Sequence, residues 1–494
     1  MESSLSAQPG SRSSQLISSL SAHWLGRRSQ RTSLSPPMVP LGCPYSAYKA
    51  VNKGGFGTVF RVRARTGEEY ALKNVTAGIG ALTPLEIDVA CRIRHPNLAG
   101  AVAVVSKDEI APCPGMEKFN LGLLMHYYTP MRSLSFPALD SVMGQLADGL
   151  HFLHTQGFLH LDIKLDNALY DPVSGQTMIS DFGLSTYIGS AISVSLQRPI
   201  GTTAWMAPEV VRFPYRATRA TDVFSLGVLF YELNTGRYVP ANVQGPTKDM
   251  DKSDLPNMVE ALRLGRIREL NAMLRSSSSE TLRVSIAMLA GRPEQRPTLV
   301  QAMVQLKHTP VDKGFADNQA LPPSSNTLIA RMRDHGDMLV FTSVFDSMVK
   351  YYTTDYPHVS VRAAFLAFDI YMRILEEVGE FESTIFFATC MYLSMVYTLP
   401  RTTYFPVPEF LTRNPDLITT APEFDSYIIR VIKATEGKLN RTLLCDSATT
   451  VSELQAALAT NVDRYFAGIS DVPDASPVAY TPTFEEFMRV AGRP

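Results

Sequence analysis

Hydrophobic and polar positions follow two rhythms along the chain. Short β-branched runs come first, at 58–62, 70–75 and 102–105, and longer helical patterns follow to about His308. Strands first and helices later predict an α+β unit of two lobes over residues 43–308. Residues 309–326, with Lys313-Gly314 and Pro322-Pro323-Ser324-Ser325, read as a linker. Beyond them the period is helical: Val340, Phe341, Val344, Phe345 and Met348 recur at spacings of three and four, which places them on one helix face. Helices are predicted at about 327–352, 360–378, 383–398, 407–413 and 422–440. The third is apolar nearly all round (Phe386, Phe387, Met391, Leu393, Met395), so it should be buried with others packed around it. Thr450 and Glu453 fit a capping box for a further helix. No fixed-period repeat is present.

Composition adds bounds. The 494 residues, 45% hydrophobic and 19% charged, fit two or three globular domains and exclude a disordered or collagenous chain. Lys plus Arg (46) nearly cancels Asp plus Glu (47), so nothing points to nucleic acid or an anionic membrane as partner. Cys43, Cys91, Cys113, Cys390 and Cys445 are odd in number and form no CxxC pair, which argues against a disulfide scaffold or a zinc site and for an intracellular setting, cytoplasm or nucleus. The longest uncharged apolar stretch, 385–399, is short for a bilayer span and reads as a buried helix. Residues 1–42, Ser-rich with Arg12, Arg27, Arg28 and Arg31 against the single acid Glu2, read as a disordered tail; such a start also fits a transit peptide or a basic import signal.

Chemistry enters at Asn52-Lys53-Gly54-Gly55-Phe56-Gly57-Thr58-Val59. Glycines let a backbone turn approach phosphates and offer N–H groups, although a glycine turn also serves simply to join strands. Lys73 ends the apolar run Tyr70-Ala71-Leu72, and Glu86 follows thirteen residues later. A Lys–Glu ion pair that also holds phosphates would account for both charges. Then comes His160-Leu161-Asp162-Ile163-Lys164-Leu165-Asp166-Asn167. Fourteen residues beyond Asn167 stands Asp181-Phe182-Gly183, and later Ala207-Pro208-Glu209. Phosphoryl transfer needs a carboxylate for the attacking hydroxyl, oxygen ligands for Mg²⁺ and positive charge at the moving phosphate.

Together, in this order and spacing, these residues resemble the eukaryotic-type protein kinase family over roughly residues 46–308. The resemblance implies that Gly54 and Gly57, with Asn52, Gly55 and Phe56, cover the phosphates of ATP, and that Val59 and Ala71 wall the adenine. It implies that Lys73 holds phosphates and is held by Glu86. Met125 looks like the residue guarding the back of the nucleotide site, and His126, Tyr127 and Tyr128 like the hinge. Asp162 becomes the catalytic base, Lys164 supports the transferred phosphate, and Asn167 and Asp181 bind Mg²⁺. Asp222 should brace the catalytic loop, and Glu209 should pair with Arg296. Lys164 two residues after Asp162, with Gly201-Thr202-Thr203 ahead of Ala207, resembles serine/threonine rather than tyrosine kinases. Asn52 stands where the family usually has its first glycine. Leu161 replaces the usual Arg, which in the family pairs with a phosphate on the activation segment, so phosphorylation-driven activation is put in doubt.

The C-terminal region is similar to a cyclin box over residues 361–372, 386–399, 405–411 and 424–433. Met395 and Tyr397 stand where cyclins usually carry the Lys and Glu that grip their kinase. A kinase joined to a cyclin-like region is an arrangement similar to some kinases of large DNA viruses. The expected architecture is therefore an α+β bilobal protein kinase fold followed by an all-α cyclin-like helical domain. Its parts are a tail (1–42), the kinase domain (43–308), a linker (309–326), the cyclin-like domain (327–445) and a helical extension (446–494). The expected function is ATP- and Mg²⁺-dependent phosphorylation of protein substrates, regulated in cis by the cyclin-like domain pressing on the Glu86 helix. The rival readings are a pseudokinase scaffold and a kinase whose C-terminal bundle docks substrates or partners.

Overall fold

A computed structural model describes residues 43–54, 57–75, 84–92, 94–116, 119–134, 136, 138–189, 191–237, 254–311, 383–398, 406–415 and 417–439, with helical positions at 363, 366, 367, 369–371, 373 and 374. The tail, the predicted helix at 327–352, most of the linker and the capping box at 450–453 lie outside the described residues, as do Gly55 and Phe56.

The N-terminal lobe is a six-stranded sheet in the order β4-β6-β3-β2-β1-β5, built from β1 (Tyr45–Gly54), β2 (Gly57–Ala64), β3 (Glu69–Val75), β4 (Ala103–Ser106), β5 (Ile110–Ala111) and β6 (Leu121–His126). Alternation explains β2: Phe60, Val62 and Ala64 point into the core, while Arg61 and Arg63 face outward and share Glu69 of β3. The third expected strand begins one residue later than its apolar run suggests, because Val102 stays exposed and Ser106 instead caps the turn that follows. Helix α1 (Pro84–Arg92) opens on a proline, which lacks only an N–H that the first turn leaves unbonded anyway.

Helices dominate the second lobe: α2 (Leu139–Thr155), α3 (Pro208–Val211), α4 (Arg219–Thr235), α5 (Leu255–Leu274), α6 (Glu280–Met288) and α7 (Leu299–Gln305). Short ribbons join them. Strand β7 (Thr129–Pro130) pairs with β9 (Ala168–Asp171), which pairs with β10 (Gln176–Ile179); β8 (Phe158–Leu159) pairs with β11 (Thr186–Tyr187), and β12 (Ser193–Ser195) with β13 (Arg216–Thr218).

Beyond residue 363 come α8 (Ser383–Thr398), α9 (Val407–Arg413) and α10 (Ala421–Ala434). Phe386, Phe387, Cys390, Met391, Leu393, Met395 and Tyr397 of α8 are all buried, as its unbroken apolar pattern requires. Helix α10 starts at the Thr420/Glu423 capping box but stops six residues short of the expected 440. Glu436 and Gly437 turn left-handed (φ 53° and 75°), and the Gly437 N–H returns to Ile432 O at 2.8 Å, closing the helix. One apolar core runs without a break from α1, α2 and α4 into α8, α9 and α10. Among the described residues no helix is long and apolar enough to cross a membrane, no group of His, Cys, Asp and Glu is placed to hold a metal by itself, and the described cysteines are free thiols.

Candidate active site

Register places the upper wall of the site. In the β1–β2 hairpin Asn52 opposes Val59 and Gly54 opposes Gly57, so the glycines sit at the tip. Val59 then lies opposite Lys73, and Ala71 opposite Met125. Of the residues expected around a nucleotide, Val59, Ala71, Lys73 and Met125 therefore converge on one patch of the sheet. Tyr127 follows directly after β6, with the Arg61 guanidinium 4.1 Å over its ring. His126 stacks on Tyr70, ring centroids 5.5 Å apart.

Lys73 comes down from this sheet and meets Glu86 of α1 and Asp181. Its Nζ donates to Glu86 Oε1 and, at 2.7 Å, to Asp181 Oδ1. Burial works against the charge on Lys73, but the two carboxylates outweigh it and hold the ammonium well above its ordinary range. Burial likewise works against the Asp181 carboxylate, and Lys73 together with the Gly183 N–H holds it below its ordinary range. The segment needs Gly183, since a Cβ there would lie 2.8 Å from Asp181 Oδ1.

Asp162 sits at the centre of a second cluster. Lys164 Nζ reaches its Oδ2 at 2.7 Å, Asn167 Nδ2 the same oxygen at 3.1 Å, and the Thr202 hydroxyl donates to Oδ1 at 2.5 Å. Lys164 also donates to Thr202 Oγ1 at 2.9 Å, so these three side chains close a ring. In the sequence Thr202 stands out only as part of a class mark; the structure makes it a direct partner of the expected base and of its lysine. The amide nitrogen of Asn167 is committed to Asp162, which leaves its amide oxygen, with the Asp181 carboxylate, as the hard donors suited to Mg²⁺.

The loop bearing Asp162 is braced from below. Asp222, fully buried near the start of α4, accepts the His160 N–H and the Leu161 N–H, each at 2.8 Å, and pairs with His154 Nε2 at 2.8 Å. His160 Nδ1 accepts the Asp162 N–H at 3.2 Å, so its Nε2 carries the proton and donates to Ser180 O at 3.2 Å. Burial is the main force lowering its pKa, which keeps the ring neutral. Leu161 and Asp181 both adopt left-handed backbone (φ 62° and 66°), at a cost of roughly 1–2 kcal/mol each. Asp222 and Lys73 supply the contacts that hold them there. Leu161, where the family carries Arg, is buried beside Leu184, Ile188, Leu196 and Ile200 of the activation segment. Arg219 grips that segment instead, donating to Gly189 O at 2.7 Å and Ala191 O at 3.1 Å. Glu209 and Arg296 form the expected pair, in a two-pronged contact with both bonds 2.7 Å.

Helix α8 packs on α1, the helix that carries Glu86. The Tyr397 hydroxyl donates to Asp88 Oδ2 at 2.9 Å, and Arg92 pairs with the same carboxylate at 2.7 Å. From α10, Lys433 Nζ donates to Val104 O at 3.0 Å and to Glu109 Oε2 at 2.5 Å. Gly437 lies against Cys91, Val104 and Ile87.

A family model described as the protein kinase domain matches residues 45–309, more than half of the chain. CBL-interacting protein kinase 25 of Oryza sativa subsp. japonica is 35% identical over 201 residues, 38% of each chain. Receptor-interacting serine/threonine-protein kinase 3 of Homo sapiens is 33% identical over 204 residues, again 38% of each. A probable leucine-rich repeat receptor-like protein kinase, IMK3 of Arabidopsis thaliana, is 28% identical over 273 residues, 52% of this chain and 34% of its own. The chain thus spans about a third to two fifths of the length of these relatives.

Proposed function

This chain belongs to the protein kinase family, and on that premise we propose that it transfers the γ-phosphate of ATP to serine and threonine hydroxyls of proteins. The observation that carries the reading is the closed contact of Lys73 with both Glu86 and Asp181, 13 and 108 positions away. It sets a buried positive charge where phosphates would lie, next to a carboxylate held ionised. Mg²⁺ bound through Asn167 and Asp181 would neutralise phosphate charge. Asp162 accepts hydrogen bonds at both carboxylate oxygens, so it is oriented to take a proton from a substrate hydroxyl. Lys164, bonded to Asp162 and to Thr202, stands where positive charge meets the transferred group. The choice of Ser and Thr over Tyr rests on Lys164 and Thr202 acting as one unit with Asp162, and on relatives whose names carry that class.

The C-terminal helices act, in this reading, as a cyclin-like module that activates the kinase in cis. Support comes from α8 lying along α1 and from Tyr397 bonding Asp88, two positions beyond Glu86. Pressure on that face of α1 keeps Glu86 turned toward Lys73. Tyr397 does by a hydroxyl what the expected Lys and Glu of a cyclin would do by charge.

The test is Mg²⁺-dependent phosphate transfer from ATP to a generic Ser/Thr protein substrate. Full chain, Asp162→Asn and residues 1–315 are compared. Transfer by the full chain that vanishes in Asp162→Asn supports the kinase, and its loss in a 1–315 form that stays soluble and still binds ATP supports activation in cis. Equal activity in both wild-type forms assigns the C-terminal helices to docking. No transfer above the Asp162→Asn level favours a scaffold.

A further inference from the structure

Past the last kinase-domain helix, residues 309–311 read as the start of a linker, yet together with His308 they are fastened down. Val311 is held through both of its backbone groups. Its N–H donates to Asp148 Oδ2 at 2.9 Å, and its C=O lies 3.2 Å from His95 Nε2. The His95 tautomer is set by Asn97, whose N–H donates to Nδ1 at 3.1 Å. The proton therefore sits on Nε2 and points at Val311 O. His308 Nε2 adds a second donor to Asp148 Oδ2 at 3.2 Å, and Asp148 Oδ1 lies 3.8 Å from His95 Nε2. Asp148 is only 1% exposed, and a carboxylate that deep needs such donors. The groove is cut to fit: at Gly144 a Cβ would come within 2.6 Å of the His308 Cβ.

The strap touches a mechanically important turn. His95 and Asn97 lie in the connection directly after α1, the helix of Glu86. On its inner side that turn is already held. Asn97 Nδ2 donates to Thr177 O at 2.8 Å, and the His95 ring stacks on Phe152 with centroids 4.7 Å apart. Gly149 of α2 passes so near that a Cβ would lie 2.3 Å from Asn97 O. A swing of α1 relative to α2 works about this turn, and residues 308–311 hold it from a second side.

We propose that His95, Asp148 and the strap 308–311 are positioning residues, which pin the turn behind α1 and thereby keep Glu86 within reach of Lys73. The proposal rests on the kinase reading, since it acts through the Lys73–Glu86 pair. It also divides the chain past residue 307 into two functions, a short pin that belongs to the catalytic lobe and a later helical module.

The test uses the full chain as wild type, Val311→Pro, Asp148→Ala and Asp148→Asn. Val311→Pro removes one N–H donor and leaves the kinase core intact. Hydrogen–deuterium exchange across 84–97 is read together with kcat and the KM for protein substrate. Loss of a hydrogen bond to a buried carboxylate should speed exchange in 84–97 about tenfold in Val311→Pro and Asp148→Ala. It should lower kcat at least about threefold with the substrate KM unchanged. Asp148→Asn, which keeps an acceptor oxygen, should recover most of both. Unchanged exchange in 84–97, equal acceleration in every helix, unchanged kcat, or an Asn variant no better than Ala would each overturn the proposal. A wild type that transfers no phosphate defeats the kinase reading instead, and the exchange pattern still decides whether the strap pins the turn.

Discussion

The hydroxyl of Tyr397 donates a 2.9 Å hydrogen bond to the carboxylate of Asp88, a residue 309 positions earlier in the chain. Both side chains are buried, and Asp88 lies on the same helix as Glu86, so this bond ties the C-terminal helices to the arm that holds Lys73. Tyr397→Phe keeps the ring and its packing but removes the donor. Leaving a buried carboxylate short of one partner should cost about 1–3 kcal/mol. Phosphate transfer by the full chain should fall several-fold, toward the level of residues 1–315. A Tyr397→Phe rate equal to wild type would count against activation through this contact.

Lys73→Ala removes the charge that bridges Glu86 and Asp181. Loss of charge stabilisation in the transition state, of order several kcal/mol, should reduce transfer by at least about a hundredfold. ATP binding should weaken less than turnover, which a fluorescent-nucleotide titration beside the rate assay would separate. Near-normal turnover would remove Lys73 from its assigned role.

Gly437 lies where the closing turn of α10 meets the Glu86 helix. A Cβ there would come within 2.5 Å of Cys91 Sγ and 2.7 Å of Val104 Cγ2, and φ is +75°. Gly437→Val therefore faces both backbone strain and overlap, at a cost of about 2–4 kcal/mol. Faster hydrogen exchange is expected in α10 and along 87–91, with the Asp162 cluster unchanged. Equal exchange in the two proteins would mean that the turn does not seat the helices.

Folded His160 is neutral and its pKa, lowered chiefly by burial, lies below the ordinary value of 6.5. Below pH 6.5 the unfolded chain binds a proton that the native loop refuses, so stability rises with pH through this window and is lost as pH falls. Asp181, lowered from 3.8, works in the same direction in stronger acid. Tm should be level between about pH 7 and pH 8 and decline from pH 6.5 downward, and His160→Asn should flatten part of that decline. His151, also lowered mainly by burial, keeps it from vanishing. Calorimetric scans at several pH values provide the measurement, and an unaltered slope in His160→Asn would refute the assignment.

Much of the site is legible in the sequence, because phosphoryl transfer demands particular side chains at particular spacings. Lys73, Glu86, Asp162, Lys164, Asn167 and Asp181 stand out as a set, and the structure gathers them into two clusters, Lys73 with Glu86 and Asp181, and Asp162 with Lys164 and Asn167. Contacts made by common residues across long stretches of chain were not readable. Thr202 carries no mark that it will bond Asp162, 40 positions away. By sequence Tyr397 is a departure from a pattern, and only packing reveals that it answers Asp88. Val311 contributes backbone groups, on which its side chain has little bearing. The end of α10 misled for a different reason: the helical pattern runs on to 440, while a left-handed Glu436, which no propensity favours, stops the helix at Ala434.

The unbroken apolar core has a consequence for how the molecule comes apart. Leu85, Ile87 and Cys91 belong to the same buried cluster as Phe387, Met391 and Ile432. Among the described residues one buried cluster joins the catalytic lobes to the later helices, so they should melt in one cooperative transition rather than two. Pulling the later helices away from the catalytic lobes would expose an oily face prone to aggregate.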